Sequence, residues 1–362
     1  MSVLSRLLKR EEKIVAMGVM PVRGKYGFRQ LDYRFAAEEL KPREIIEKCV
    51  EHGINAIGIV VKDTDGACMW ESELCPNPTK RDILGEFLDE IREHGIASAV
   101  SFTCFNDAVG IRRFPDKISI TKNGALNIFI EPEMILPDGR RYHTGFMCPL
   151  KYQEYLLDLA EELVRKYPID AFFADYIRYN RPDVCYCDAD IKKFKEHGNL
   201  KDTFILSPKR LKFREMIIYE FARKLYKRIK SVRRDTLVGA FVIHIGKILG
   251  SIYYAQNWSL LDRTLDIISP MVYPYLMGSI KDGVKWGIIG GISFLIAKAI
   301  MIRRVEVKRA IWLPITNSVE VTPKEFEYQL NAFESEYGIA IFKYFGTTEA
   351  HWEIIKRRYG RF

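Results

Sequence analysis

The chain has 362 residues, of which 48% are hydrophobic and 12% aromatic. This composition excludes a disordered protein, because so many apolar side chains can fill a large core. The formal net charge of +9 favours acidic partners, but basic and acidic residues alternate along predicted helices such as 209–234, which indicates solvated helix faces. The abundance of Lys, Arg and Glu is typical of a heat-adapted source.

The N-terminal segment MSVLSRLLKREEK carries early charges and lacks an apolar run long enough for a signal peptide. The seven cysteines do not form the closely spaced framework of small secreted domains. We therefore expect a cytoplasmic protein. The apolar segment 286–302 is short for a membrane span, so we expect a buried helix or a contact in a homo-oligomer; membrane association is the alternative.

Three segments repeat one helix-to-strand junction: EHGINAIGIVV from Glu51, EHGIASAVSF from Glu93 and EYGIAIFKYF from Glu336. In each, a helical pattern is predicted to end at a glycine with left-handed backbone, and a β-rich apolar run follows. Five further apolar runs are predicted strands, namely 13–21, 169–179, 237–244, 267–275 and 308–315.

Eight predicted strands alternating with roughly eight helices favour an α/β fold, a single (β/α)8 barrel over residues 1–362. A doubly wound open sheet is the alternative, but no glycine-rich phosphate turn follows the first strand. The connection after strand 3, residues 108–149, is unusually long and contains two turn signals, KNGA and PDGR. We predict that it folds as a lid, because long loops inside domains are usually functional.

In such a barrel the functional side chains lie where the strands end at the C-terminal face. The residues at these positions are Lys62, Asp63 and Asp65 after strand 2; Asn106 and Asp107 after strand 3; Asp175 and Arg178 at strand 4; His244 at strand 5; Tyr273 and Tyr275 at strand 6; Asn317 at strand 7; and Tyr344 and Phe345 at strand 8. Several aspartates and aromatic rings at one mouth suit carbohydrate chemistry. Paired carboxyl groups can share the roles of proton donor and nucleophile or base, while aromatic faces offer apolar platforms.

Asp175 fits the catalytic role best, because a carboxylate near Arg178 can stay ionised and stabilise or attack an oxocarbenium-like centre. The alternative is that Asp175 caps the next helix or pairs with Arg178 at the rim. Asp107 and Asp63 are the predicted partner acids, although aspartate is also favoured in turns. The predicted substrate-binding residues are Lys62, Arg178, Tyr273, Tyr275, Trp70, His244 and Tyr344.

The motif CYC at Cys185 and Cys187, with His143, Cys148, Asp183, Asp188 and Asp190 as possible neighbours, raises the question of a metal site. Because no second close pair of ligands exists, we interpret it as a loop with two free thiols rather than a zinc site. We expect neither a metal nor a cofactor. The sequence also lacks a Walker loop, a GxSxG elbow, an HExxH motif and an EF-hand pattern.

Four blocks of the chain resemble, in order, those of a family of glycoside hydrolase (β/α)8 barrels of largely unknown activity, distantly similar to the α-amylase class. The family pattern is V-K-D-x-x-G, F-x-D, F-D-Y-x-R-[FY]-P and P-M-V-Y-P. The matching residues are Lys62, Asp63 and Gly66; Phe105 and Asp107; Asp175, Tyr176, Arg178 and Tyr179; and Pro270, Met271, Val272, Tyr273 and Pro274.

This resemblance spans about residues 54–278 and implies a (β/α)8 barrel, a carbohydrate ligand and Asp175 as the essential carboxylate. The chain departs from the family pattern at Ala174 and Asn180, and no acid lies nearer the end of strand 7 than Glu320. We therefore predict a glycoside hydrolase or transglycosylase. The alternative is a barrel that binds saccharide without cleaving it. A third possibility, binding to nucleic acid or to a membrane surface, is supported only by the net charge, and we expect neither.

Overall fold

The structure is a computed structural model that describes residues 2–24, 31–33, 35–128, 134–135, 141–142, 144–197, 207–243, 246–273, 307–319 and 321–360. Within these residues, eight parallel strands follow one another around a closed barrel, and the last pairs with the first. The strands are β1 Ile14–Val19, β2 Ala56–Lys62, β3 Ala97–Thr103, β4 Ala171–Asp175, β5 Leu237–Ile243, β6 Ile267–Met271, β7 in two segments, Ile311–Trp312 and Ile315–Asn317, and β8 Gly338–Phe342. The predicted (β/α)8 fold is confirmed.

Helices surround the barrel because each carries an apolar stripe that packs on the strands. In the described part of the chain they are α1 Val3–Lys9, α2 Pro42–Glu51, α3 Ile83–Glu93, α4 Ala108–Arg113, α5 Pro149–Lys166, α6 Asp188–Glu196, α7 Pro208–Val232, α8 Gly246–Tyr254, α9 Trp258–Leu261, α10 Pro323–Phe333 and α11 Glu349–Tyr359. Helix α1 precedes the barrel, and Leu4 packs against Ile14 and Ile267 at the N-terminal ends of β1 and β6. It thereby covers the floor of the barrel.

Two of the three predicted helix-to-strand junctions have the expected geometry. Gly53 and Gly95 follow the ends of α2 and α3 with φ of 83° and 64°. The third is confirmed only in part. Gly338 has φ of 119° and begins β8 as predicted, but α10 ends at Phe333, so this glycine does not end the helix. A Cβ on Gly338 would lie 1.9 Å from the carbonyl oxygen of Ile14, so glycine there permits close pairing with β1.

The interior of the barrel is incompletely filled. Bulky branched side chains usually pack the centre of such a barrel, whereas here β1, β2 and β3 contribute small residues and a cavity of about 280 Å³ remains. The small residues that line it include Ala16, Gly18, Ala56, Gly58, Ala97, Ala99 and Ser101. The cavity extends from Leu4 at the floor to Asp63 and Asp175 at the C-terminal face.

A disulfide bond joins Cys68 and Cys75 in the loop after β2. The cysteine spacing does not predict this bond, and the cytoplasmic location remains a prediction. None of the described helices has the length and apolar character that crossing a membrane requires. The segment 286–302 lies outside the described residues, and its predicted role in a homo-oligomer stays a prediction.

Candidate active site

Side chains from separate strands surround the mouth of the barrel cavity. Asp63 follows β2, Asp175 ends β4 and Tyr273 follows β6, and all three line the same cavity. The other lining residues at this end include Tyr176, Arg178, Phe241 and Phe342. The barrel topology therefore brings two of the three predicted catalytic aspartates, Asp63 and Asp175, to one hollow.

Asp175 is held at the mouth by its own strand end. Its Oδ1 accepts a hydrogen bond from the backbone N–H of Tyr176 at 2.6 Å, and Arg178 Nη1 lies 3.7 Å from the same oxygen. Burial raises the pKa of Asp175 above its ordinary value, while the Arg178 guanidinium opposes that shift. The side chain is 22% exposed, so a ligand in the cavity can reach it.

Asp63 occupies the other side of the mouth. Burial raises its pKa to about 6, and the negative charge of Asp175 acts in the same direction. The Thr64 N–H, which donates to Asp63 Oδ1 at 2.7 Å, and the charges of Lys62 and Lys343 oppose the shift. The two carboxyl groups therefore interact electrostatically, and Asp63 is protonated over a wider pH range than an ordinary aspartate.

Aromatic and cationic groups complete the mouth. The Arg178 guanidinium lies 4.0 Å from the ring centroid of Tyr176, which adopts φ of 48°, a left-handed conformation uncommon outside glycine and often found at functional sites. Tyr273 stacks on Phe342 with ring centroids 6.4 Å apart. Arg178 Nη1 is buried and has no hydrogen-bond partner among the described residues, and the Asp175 carboxylate at 3.7 Å is its charged neighbour.

The structure places Asp107 and Lys62 away from the cavity. Lys62 Nζ lies 2.7 Å from Asp107 Oδ2, and both side chains are completely buried. Tyr152 Oη donates to the same carboxylate oxygen at 2.8 Å, and the N–H of Gly110 donates to Asp107 Oδ1 at 2.6 Å. Asp107 thus caps α4 and neutralises Lys62. Neither side chain lines the cavity, where Asp107 is predicted to act as a partner acid and Lys62 to bind substrate.

The family pattern has a glycine in this turn, and the surroundings of Gly66 show why a larger residue would not fit. Its φ is 80°, and an added Cβ would lie 2.0 Å from Asp107 Oδ1. The first two family blocks therefore meet in space: Lys62 and Gly66 both contact the Asp107 carboxylate, while Asp63 between them faces the cavity.

Two further predicted substrate-binding residues do not line the cavity. Trp70 is fully buried, and its Nε1 donates to Glu162 Oε1 at 2.9 Å. Tyr344 packs on Trp352 with ring centroids 5.5 Å apart, outside the barrel. His244 and Tyr275 lie outside the described residues, as do Glu320 and His143.

Three lining residues at the mouth were absent from the predicted site, namely Tyr176, Phe241 and Phe342. The sequence contains a pattern that could have identified two of these three residues. Side chains alternate in direction along a strand, and Phe241 and Phe342 lie near the C-terminal ends of β5 and β8 with the spacing of inward-facing residues. Tyr176 follows β4 in a left-handed turn that the sequence does not announce.

The predicted lid folds in part as expected. Of residues 108–149, the described part contains α4, a 3₁₀ turn at Pro115–Lys117, a turn at KNGA and a short antiparallel pair, Met134–Ile135 with Arg141–Tyr142. It packs on the loop after β4, where the side-chain amides of Asn127 and Asn180 exchange hydrogen bonds at 2.7 and 3.2 Å. No described residue of this segment lines the cavity, so its role as a lid stays a prediction.

Cys185 and Cys187 lie in the same loop after β4, and Cys148 at the start of α5 joins them. The interpretation as a loop with two free thiols therefore missed the third sulfur, which arrives from the far end of the 108–149 segment.

Solved structures share this fold. The chain superposes on alpha-L-fucosidase isoenzyme 2 from Paenibacillus thiaminolyticus with a TM-score of 0.65 at 15% identity, over 96% of this chain and 49% of that one. It matches the PgaB (BpsB) glycoside hydrolase domain from Bordetella bronchiseptica with a TM-score of 0.67 at 10% identity, covering 91% and 94%. An alpha-amylase from Lactobacillus plantarum gives a TM-score of 0.51 at 12% identity, covering 93% and 72%. Because the sequence identities are this low, these similarities show a shared fold and nothing about activity.

The chain spans about half the length of the fucosidase it matches. A comparison with curated protein sequences finds no significant match. The model of one family, described as "Putative glycosyl hydrolase domain", matches residues 32–285, which include both carboxylates at the mouth. The chain therefore belongs to this glycosyl hydrolase domain family.

Proposed function

We propose that the protein is a glycoside hydrolase, or a transglycosylating relative, with Asp175 and Asp63 as its working carboxyl groups. The observation that carries the proposal is that these two carboxyl groups come from separate strands, face one cavity and interact electrostatically. Glycosidases use such a pair to divide proton donation from nucleophilic or basic attack. Membership of a glycosyl hydrolase domain family supports the same reaction class.

The surroundings of the two carboxyl groups suggest their roles. Asp175 has Arg178 beside it, and this positive charge favours the ionised form that a nucleophile or a stabiliser of an oxocarbenium-like centre requires. Asp63 has a pKa of about 6, which suits a proton donor for the leaving oxygen under mildly acidic conditions. Of the two predicted partner acids, Asp63 is favoured over Asp107, whose carboxylate is occupied by Lys62, Tyr152 and Gly110.

The mouth also offers groups that suit a sugar ring. Tyr273 and Tyr176 present aromatic surface beside the two acids, and Arg178 lines the same cavity as a candidate donor to a sugar hydroxyl. We assign substrate binding to these three residues. Solved relatives in fold are named as a fucosidase, an amylase and a glycoside hydrolase domain, so the substrate is open within the class of oligo- and polysaccharides.

The test is a panel of aryl glycosides and oligosaccharides assayed with the wild type, Asp175→Asn, Asp63→Asn and the control Asp89→Asn, an exposed aspartate on α3. We expect turnover by the wild type and the control. Asp63→Asn should lose about 100- to 10,000-fold in kcat on substrates with poor leaving groups, and Asp175→Asn about 100-fold or more on all substrates.

Unchanged turnover in Asp175→Asn would remove this residue from the mechanism. Tight saccharide binding by the wild type without product over long incubation would instead establish the alternative, a saccharide-binding barrel. Circular dichroism of each variant separates a lost reaction from a lost fold.

A further inference from the structure

Three cysteines from two distant segments meet beside the barrel mouth. Cys148 precedes α5, while Cys185 and Cys187 lie in the loop between β4 and α6. Their sulfur atoms all lie within 4.8 Å of one another, and the sulfurs of Cys148 and Cys187 are 3.5 Å apart. All three side chains are buried, and none of them is in a disulfide bond.

These distances fit a shared metal ion. Tetrahedral zinc–thiolate bonds of about 2.3 Å place two sulfurs of one site about 3.8 Å apart, close to the Cys148–Cys187 separation of 3.5 Å. A disulfide would need about 2.0 Å. Thiolates are soft ligands that select zinc and related ions, and a Cys-x-Cys pair plus a distant third cysteine supplies three of the four tetrahedral positions.

Groups close to the three cysteines can stabilise the negative charge of such a site. Three thiolates around a divalent ion leave one net negative charge, which requires nearby donors or cations. Arg210 is buried next to the loop, donates to the backbone carbonyl of Cys185 and pairs with Asp190 at 3.1 Å. Within the described residues no fourth Cys, His, Asp or Glu joins the group, which leaves one position for a water molecule.

We propose that Cys148, Cys185 and Cys187 bind one thiophilic divalent metal ion, for which Zn²⁺ is the expected occupant. The ion ties the C-terminal end of the 108–149 segment to the loop after β4. Arg178 and Asn180 belong to that loop, so the metal would brace the side of the mouth that carries Arg178. This site is independent of the proposed glycosidase chemistry, because neither Asp63 nor Asp175 belongs to it.

The full-length protein, purified under reducing conditions and dialysed against Zn²⁺, provides the test. We expect one equivalent of bound zinc by elemental analysis, and a rise in Tm when zinc is restored to metal-free protein. Substitution with Co²⁺ should give a thiolate-to-cobalt charge-transfer band and the intense visible bands of a tetrahedral site. Cys148→Ser and Cys185→Ser should each weaken zinc binding at least tenfold, while the matched control Cys49→Ser, another buried free cysteine, should leave it unchanged.

The proposal would be overturned if the wild type, with its free thiols fully reduced, bound no zinc. It would also be overturned if a Cys148–Cys187 disulfide persisted whether zinc was added or removed. Equal zinc binding in Cys148→Ser and the wild type would overturn it too. If the serine variants do not fold, the cobalt spectrum of the wild type decides the matter, since only thiolate ligands produce the charge-transfer band.

Discussion

Asp63 and Asp175 differ from Asp107 in what surrounds them. Each faces a cavity, each has its pKa raised by burial, and the charge of Asp175 raises the pKa of Asp63 further. Asp107, by contrast, has a cation, a hydroxyl and a backbone N–H within hydrogen-bonding distance. At the scale of single residues, therefore, free space beside the carboxyl group distinguishes the catalytic candidates from a structural aspartate.

The pKa of Asp63 predicts the pH dependence of activity. A proton donor works only while protonated, so kcat/KM should fall as the pH rises through about 6, the pKa of Asp63. On the acidic side kcat/KM should fall as Asp175 takes up a proton and loses its charge. The measurement is a pH–rate profile of kcat/KM with a glycoside that has a poor leaving group, because the leaving oxygen of such a substrate needs the proton of Asp63.

On that substrate Asp63→Asn should be about 100- to 10,000-fold slower, and its residual activity should not fall above pH 6, because residue 63 no longer titrates. The conservative control Asp89→Asn should keep the wild-type profile. An alkaline limb that persists unchanged in Asp63→Asn would assign proton donation to another group.

The turn after β2 shows why neighbouring residues of one motif have different roles. Every second residue of β2 faces the cavity as far as Val60, but the register shifts between Val60 and Lys62. Lys62 therefore leaves the inward-facing row, and Asp63 joins it. Lys62 reaches the layer between strands and helices, where it meets Asp107, and Asp63 faces the cavity. The family pattern V-K-D-x-x-G therefore combines a structural ion pair, a catalytic candidate and a glycine required by close packing.

The two glycines Gly66 and Gly95 provide a matched test of this packing. Both have positive φ, but an added Cβ meets Asp107 at Gly66 and nothing within 4 Å at Gly95. Gly95→Ala should cost about 1–2 kcal/mol from backbone strain alone. Gly66→Ala should cost about 2 kcal/mol more, since it also displaces the carboxylate that caps α4. Urea unfolding of both variants measures the difference; equal losses would show that the Asp107 contact does not matter.

Much of the order of strands and helices could be predicted from the sequence. Apolar runs predict strands, and a glycine at the end of a helical pattern predicts a helix-to-strand junction, and both signals lie within a few neighbouring residues. The strand ends then identified Asp63, Asp175, Arg178 and Tyr273 at the mouth. Alternation predicts the direction of a side chain where a strand is regular, but not beyond the register shift between Val60 and Lys62. For that reason the sequence predicts substrate contact for Lys62. Asp107, predicted as a partner acid, lies beyond β3 in a turn whose direction the alternation does not determine. Cys148 is predicted only as a possible neighbour, since its approach to Cys187 depends on the path of the 38 residues between them.

At the scale of the whole molecule, the barrel keeps an apolar hollow beneath a charged mouth. The strands β1, β2 and β3 contribute alanine, glycine and serine where larger side chains would fill the centre. Burial next to this apolar wall is the main cause of the raised pKa values of Asp63 and Asp175. The fold thus supplies both the position of the two acids and the low polarity that tunes them.

The hollow can be probed with two glycines of the barrel strands. Gly58 lines the cavity, and an added Cβ would have its nearest contact at 4.0 Å, so Gly58→Ala should stabilise the protein by about 0.5–1 kcal/mol. Gly239 lies against Phe173, where a Cβ would approach the ring to 2.8 Å, so Gly239→Ala should destabilise it by about 1–3 kcal/mol. Urea midpoints compare the two; a destabilised Gly58→Ala would mean that the interior is already full.

The most direct test of the central claim is a crystal structure of Asp175→Asn with a bound oligosaccharide from the substrate panel. We predict that the glycosidic oxygen lies between the side chains of residues 63 and 175, with Tyr273 against a sugar ring. If the two carboxyl groups are about 5 Å apart, the enzyme should retain the anomeric configuration. If they are about 6.5–9.5 Å apart, it should invert it. A saccharide bound elsewhere, with no sugar atom near either aspartate, would contradict the account.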